Sequence, residues 1–148
     1  MDGPWAMEGP GREALSLLER ALQAARREDR LVLVEIFDPT CKYCRAMEPV
    51  FRDPLVRKVL EEGYVRLKLG LPGNPLVGRF RLEMTPAFLI FRPGGEPMED
   101  VLEGFRSAKV FAAELEDFLH FQKGGEAVEI PDDTHPMAGR GCRIQKSS

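Results

Sequence analysis

Two thiols three positions apart carry the strongest chemical signal in the chain: Cys41-Lys42-Tyr43-Cys44. Residues i and i+3 share one helical face, so the two sulfurs can approach within bonding range. The first of them stands where a helix begins, and the unpaired amides and positive dipole end there favour an anion. Cys41 is therefore expected to be the more acidic thiol, below the free value of about 8.5. Lys42 pushes the same way and Asp38 opposes it. The chemistry this allows is thiol–disulfide exchange, in which the Cys41 thiolate attacks a disulfide and Cys44, set deeper, resolves the mixed disulfide. The dithiol itself carries two electrons, so no metal or organic cofactor is needed.

The same pair has other possible uses. A structural zinc centre takes four ligands, and beyond Cys41 and Cys44 only Cys142, His120 and His135 remain, two of them in an aperiodic tail. A permanent disulfide between residues three apart closes a loop too small to stabilise much. A non-enzymatic binding or chaperone module with an idle cysteine pair is the main alternative. A redox titration separates the two, since a working pair shows a reversible couple between about -300 and -100 mV.

Such chemistry needs a frame. The run Leu31–Phe37 (LVLVEIF) is apolar and β-branched, as in a strand buried on both faces. Glu35 is its one ionisable residue; a carboxyl there has a raised pKa and is suited to proton transfer, or else it pairs with Lys68 or another basic side chain. A preceding amphipathic helix over about 12–28 carries Leu15, Leu18, Leu22 and Ala25 on one face. Residues 41–62 read as helix with Met47, Val50, Phe51, Leu55, Val59 and Leu60 inward, a kink at Pro49, and a restart at the Asp53-Pro54 N-cap. Strands are expected over 64–69, 86–91 and, at an edge, 98–105, with a turn at Pro93-Gly94-Gly95. Residues 75–82 form a short helix, and Ser107 caps a last helix bearing Val110, Phe111, Leu115, Phe118 and Leu119. The fold class is α/β: a small mixed sheet of about four strands, parallel first and antiparallel last, flanked by helices. Residues 1–10 are expected to form a loose arm, 11–123 the domain, and 124–148 a mobile tail.

The strand, the CxxC at its end, Pro49, and Thr85-Pro86 opening a further apolar strand together resemble the thioredoxin superfamily over about Leu31 to Phe121. The resemblance implies a thioredoxin fold, with Pro86 as a cis-proline facing the dithiol and the backbone before it free to pair with an extended substrate. It implies that Glu35, where thioredoxins place a buried acid, accepts the proton of Cys44. The turn Phe91–Glu96 and Gly104 look like thioredoxin counterparts as well. Catalytic roles thus fall to Cys41, Cys44, Glu35 and Pro86, and substrate contact to Lys42, Tyr43, Thr85 and Gly104. The implied partners are protein disulfides or dithiols and an upstream thiol reductase or membrane electron donor, with the chain acting as a monomer. The sequence Thr40–Cys44 differs from the Trp-Cys-Gly-Pro-Cys of thioredoxin itself, and a helix comes where a first strand is expected. Residues 51–56 are similar to bacterial envelope thiol:disulfide interchange domains and sulfur-oxidation-associated thioredoxins.

The remaining properties bound the answer. The 148 residues are 43% hydrophobic and 30% charged, with net charge -3, which suits one globular domain and gives no basic face for nucleic acid. No apolar run reaches the ~20 residues of a membrane span. No signal peptide is visible in the first fifteen residues, which leaves a periplasmic mature form and a cytoplasmic protein both open. Cys142 reads as an exposed tail cysteine, with a regulatory or mixed-disulfide thiol as the alternative; His120 reads as a helix end rather than a ligand, and Trp5 as packing on the domain rather than binding a partner.

Overall fold

The computed structural model describes residues 5–145. Ala6–Gly9 forms β1, and a 3-10 turn at Gly11–Glu13 leads into α1, Ala14–Glu28. Then come β2 (Leu31–Phe37), α2 (Lys42–Arg52), α3 (Pro54–Gly63), β3 (Tyr64–Gly70) and α4 (Pro75–Arg79). The chain continues through β4 (Met84–Thr85), β5 (Ala87–Phe91), β6 (Leu102–Glu103), α5 (Ala108–Gln122) and β7 (Cys142–Arg143). The main sheet has five strands in the order β1-β3-β2-β5-β6, and β4 with β7 forms a separate two-stranded ladder. β1 and β2 both run parallel to β3, whereas β5 and β6 are antiparallel to their neighbours. This is the thioredoxin fold, a mixed sheet between helical layers.

Alternation along the strands sorts the core into two layers, because successive side chains point to opposite faces. Val32, Val34, Ile36, Val65, Leu67 and Leu69 share an apolar cluster with α1 and α4. Leu31, Leu33, Tyr64, Phe88 and Ile90 share the other with α2, α3 and α5. Phe111 anchors that second layer, edge-on to Phe51 at 5.4 Å and tilted against Phe88 at 4.9 Å. By the same alternation Glu35 and Arg66 fall on the α2 face of the sheet, under the CxxC.

Several expectations are corrected. Within the segment read as a loose arm, Ala6–Gly9 supplies β1, so the main sheet has five strands and its first strand is present, while residues 1–4 lie outside the described residues. The signal is faint because β1 is an edge strand only four residues long, AMEG. Trp5 packs against the core with the Arg30 guanidinium 4.2 Å from its ring. On α1 the buried stripe is Ala14, Leu17, Leu18, Ala21, Leu22 and Ala25, and Leu15 faces solvent. Leu55 is likewise exposed. The helix does break at Asp53, whose carboxylate accepts the Leu55 amide at 2.9 Å, and Pro54 opens α3. Of the strand expected over 98–105 only Leu102–Glu103 forms a ladder with β5, apart from a single Met98 amide bond to the Ile90 carbonyl at 2.8 Å; Gly104, at φ +92, turns the chain out of the ladder. Ser107 occupies the N-cap of α5 without a side-chain cap, and its amide donates instead to Asp133.

The described part of the segment after α5, read as mobile, is tied down at several points; residues 146–148 lie outside the described residues. The Val128 amide donates to Asp117, the His135 ring lies 4.7 Å from that of Phe105, and Gly139 and Arg140 exchange backbone hydrogen bonds with Phe105. Periodicity cannot reveal such a segment, since its order comes from partners far away in sequence. No helix among the described residues is long and apolar enough to cross a membrane.

Candidate functional site

The site lies where β2 gives way to α2. Asp38 turns the chain: its carboxylate accepts from the Thr40 amide and hydroxyl at 2.9 and 2.7 Å, while the Cys41 amide donates to the Asp38 carbonyl at 3.0 Å. The turn leaves Cys41 as the extended N-cap residue of α2, at the helix end that favours an anion. Pro49 sits inside α2, where its missing N–H removes one helical hydrogen bond. Lys42 is exposed with its ammonium 5.2 Å from the Tyr43 ring. The Tyr43 hydroxyl is shifted down, chiefly by hydrogen bonding with Arg140.

Cys44 lies one helical turn on, buried, with the Asp38 amide 3.4 Å from its sulfur. Burial pushes the Cys44 thiol up, while hydrogen bonding from Asp38 and Thr85 works against that rise and the charge of Glu35 adds to it. Facing this helix start, Thr85-Pro86 is a cis peptide, and the Cys41 sulfur lies 3.6 Å from the Thr85 carbonyl oxygen. The Gly104 amide donates to the Pro86 carbonyl at 2.7 Å, which fastens the far side of the proline to the turn after β6.

Glu35 is 2% exposed. Burial raises its carboxyl pKa, an effect that Arg66 and, less strongly, Lys68 oppose. Its ion-pair partner is Arg66, at 3.4 Å, and the expected alternative, Lys68, instead faces Glu8 at 3.9 Å. The Arg66 guanidinium also lies over the Phe51 ring, 3.7 Å from its centre. The structure thus brings Cys41, Cys44, Glu35, Thr85 and Pro86 to one place, with Lys42 and Tyr43 on its rim and Gly104 behind the proline.

One pairing departs from expectation. Cys41 is disulfide-bonded to Cys142, with Cα atoms 5.9 Å apart, and Cys44 is the free thiol. The reading of Cys142 as a plain exposed cysteine is therefore corrected. β7 lays it antiparallel to β4, with Cys142 opposite Thr85 and Arg143 opposite Met84. The sequence reading missed Arg66, Arg140, Gly141 and Ile144. Ile144 left a trace, as a β-branched apolar residue isolated in a polar stretch two positions from a cysteine. Among the described residues, no group of three or more His, Cys, Asp or Glu side chains comes together as a metal site would require.

Comparison with known proteins places the chain in a family and a fold. The model of the family described as Thioredox_DsbH, protein of unknown function (DUF255), matches residues 14–116. Protein disulfide-isomerase A2 of Pongo abelii is 28% identical over 134 residues, 88% of this chain and 25% of the relative, so the chain spans about a quarter of that protein's length. A thioredoxin from Thermus thermophilus superposes with a TM-score of 0.59 at 29% identity, over 77% of this chain and 87% of that one. The reduced C-terminal domain of DsbD from Neisseria meningitidis shares the fold, with a TM-score of 0.58 at 20% identity over 69% of this chain and 94% of its own.

Proposed function

The chain belongs to the Thioredox_DsbH family, and on that premise we propose that it is a thiol–disulfide oxidoreductase exchanging electrons between Cys41/Cys44 and protein disulfides. The observation that carries this reading is the setting of Cys41: a sulfur at a helix N-terminus, across from a cis-proline, with a buried free thiol one turn behind it. The names of its relatives, a thioredoxin and a protein disulfide-isomerase, support the same class of chemistry.

The steps follow from the groups present. The Cys41 thiolate attacks one sulfur of a substrate disulfide; a Cys41–substrate bond forms and the other substrate sulfur leaves as a thiolate. Cys44 then attacks the Cys41 sulfur, the mixed disulfide breaks, and the substrate's second thiolate departs. Burial keeps Cys44 protonated until that moment, so its proton needs an acceptor. Glu35 is that acceptor: burial raises its carboxyl pKa, which makes the carboxylate a stronger base toward the thiol proton than an exposed one. Pro86 and the Thr85 backbone form the ledge on which an extended substrate lies, Lys42 and Tyr43 contact it at the rim, and Gly104 lets the chain pass close behind. The partners are protein disulfides and a thiol reductase or membrane electron donor that restores the dithiol.

Insulin reduction tests the reading. Cys41→Ser is expected to abolish turnover, and Cys44→Ser to accumulate mixed disulfide. Wild-type rates from Cys41→Ser would overturn the assignment.

A further inference from the structure

Residues 139–144 are not needed for the exchange just described, yet they occupy its mouth. On one edge, β7 pairs with β4, and the Ile144 amide donates to the Glu83 carbonyl at 2.9 Å. On the other, the Phe105 amide donates to the Arg140 carbonyl, and the Gly139 amide to the Phe105 carbonyl, both at 2.7 Å. Between them the backbone passes so close that a Cβ on Gly141 would lie 2.6 Å from the Thr85 carbonyl and 2.8 Å from the Met84 sulfur. Beyond the cysteine, Ile144 is 6% exposed and belongs to the same apolar cluster as Leu76 and Leu82. A small residue before the cysteine, an exposed one after it and a buried aliphatic next make a sequence-specific fit.

We propose that residues 139–144 are a substrate held in cis, with Cys142 as a third redox cysteine that exchanges with Cys44 for Cys41. The proposal rests on the reading of Cys41 as the attacking thiol. Starting from the Cys41–Cys142 bond, the Cys44 thiolate attacks the Cys41 sulfur; a Cys41–Cys44 bond forms and Cys142 leaves as a thiolate. The proton lost by Cys44 goes to the nearby base, and the count of thiols and disulfides is unchanged, so no outside oxidant enters. In reverse, the Cys142 thiolate attacks Cys41 and frees Cys44. While Cys41–Cys142 is intact the ledge beside Pro86 is filled, and an outside disulfide must wait for the exchange. The substrate class follows from the occupant: extended segments with glycine before the cysteine and an aliphatic residue two positions after it.

The experiment maps disulfides in the oxidised full-length chain by acid-quenched alkylation and mass spectrometry. Wild type is expected to yield chiefly the Cys41–Cys142 link, with Cys44 alkylated only after denaturation. Ile144→Asp removes the aliphatic anchor and is expected to move the ratio of the two links about tenfold toward Cys41–Cys44. Gly141→Val, which blocks the close approach instead, is expected to shift it the same way, so a folding failure in one variant leaves the other to decide. A wild-type map showing only Cys41–Cys44, or an unchanged ratio in the folded variants, would overturn the proposal. Failure here leaves insulin reduction through Cys41 untouched. Retained reduction by Cys41→Ser would instead remove the activity on which the proposal rests while the disulfide map stood.

Discussion

Arg66→Leu isolates the charge pair under the dithiol. The guanidinium stands 3.4 Å from the Glu35 carboxylate, with the two side chains 19% and 3% exposed. Breaking a buried pair by deleting one partner costs about 3–5 kcal/mol while the other charge persists. Losing the stack on Phe51 adds about 0.5–1 kcal/mol. Two effects reduce the total. The Arg66 Nε has no hydrogen-bond partner among the described residues, so removing it relieves a buried polar atom. The carboxyl can also escape by taking up a proton, at about 1.4 kcal/mol for each pH unit above its pKa. The net loss is then about 2–4 kcal/mol near pH 8. Arg66 is the largest influence holding the Glu35 carboxyl down, so its loss drives that pKa higher still. A carboxyl with a raised folded pKa contributes stability below its unfolded pKa that is lost as pH rises through the folded value. The deficit of Arg66→Leu must therefore be larger at pH 8 than at pH 5. Urea unfolding at both pH values measures it, a loss of about 3 kcal/mol moving the midpoint by about 1–2 M. Adding Glu35→Gln should restore much of the loss. A pH-independent deficit, or strict additivity in the double variant, would refute the reasoning.

Glu35→Gln alone should slow resolution of the mixed disulfide by about 100-fold, read by stopped-flow thiol release. Its stability relative to wild type should grow as pH rises, because it lacks the carboxyl whose burial disfavours the charged form. Gly104→Ala places a Cβ 2.7 Å from the Gly139 carbonyl at a backbone with φ +92, and such strain costs about 1–3 kcal/mol. Hydrogen exchange at the Phe105 and Gly139 amides should accelerate in that variant; unchanged protection would count against the contact. Tyr64→Phe deletes a buried hydroxyl that donates to the Leu115 carbonyl at 2.7 Å. It should cost about 0.5–1.5 kcal/mol, a fall of a few degrees in the thermal midpoint.

The elements legible in the sequence were those with their own local pattern. The nearly unbroken apolar, β-branched run of β2, interrupted only by Glu35, fits a buried strand. The Asp53-Pro54 pair stopped one helix and started another through a side-chain cap that needs no distant partner. The inward face of α5, from Val110 to Leu119, followed from helical spacing alone. What escaped had its cause elsewhere in the fold. β1 is short and becomes a strand only because β3 offers a free edge, and β7 exists only because β4 lies opposite it. Leu15 and Leu55 show the limit of periodicity even inside a correct helix: an apolar residue at the margin of the stripe is buried or exposed according to the neighbouring layer.

The chemistry divides the same way. The spacing of Cys41 and Cys44, and the place of Glu35 inside an apolar strand, were determined by sequence, since helical geometry puts residues three apart on one face; that Glu35 belongs beneath the dithiol was implied only by the thioredoxin resemblance. Which cation pairs with the Glu35 carboxylate was decided by tertiary structure, because Arg66 and Lys68 sit on the same face of β3; packing on Phe51 holds Arg66 at Glu35, while Lys68 lies over Phe37 and faces Glu8. The partner of Cys41 was decided there too. A bond across a sequence separation of 101 depends on the chain returning after α5 to lie along β4, and no local rule of spacing or propensity reaches that far.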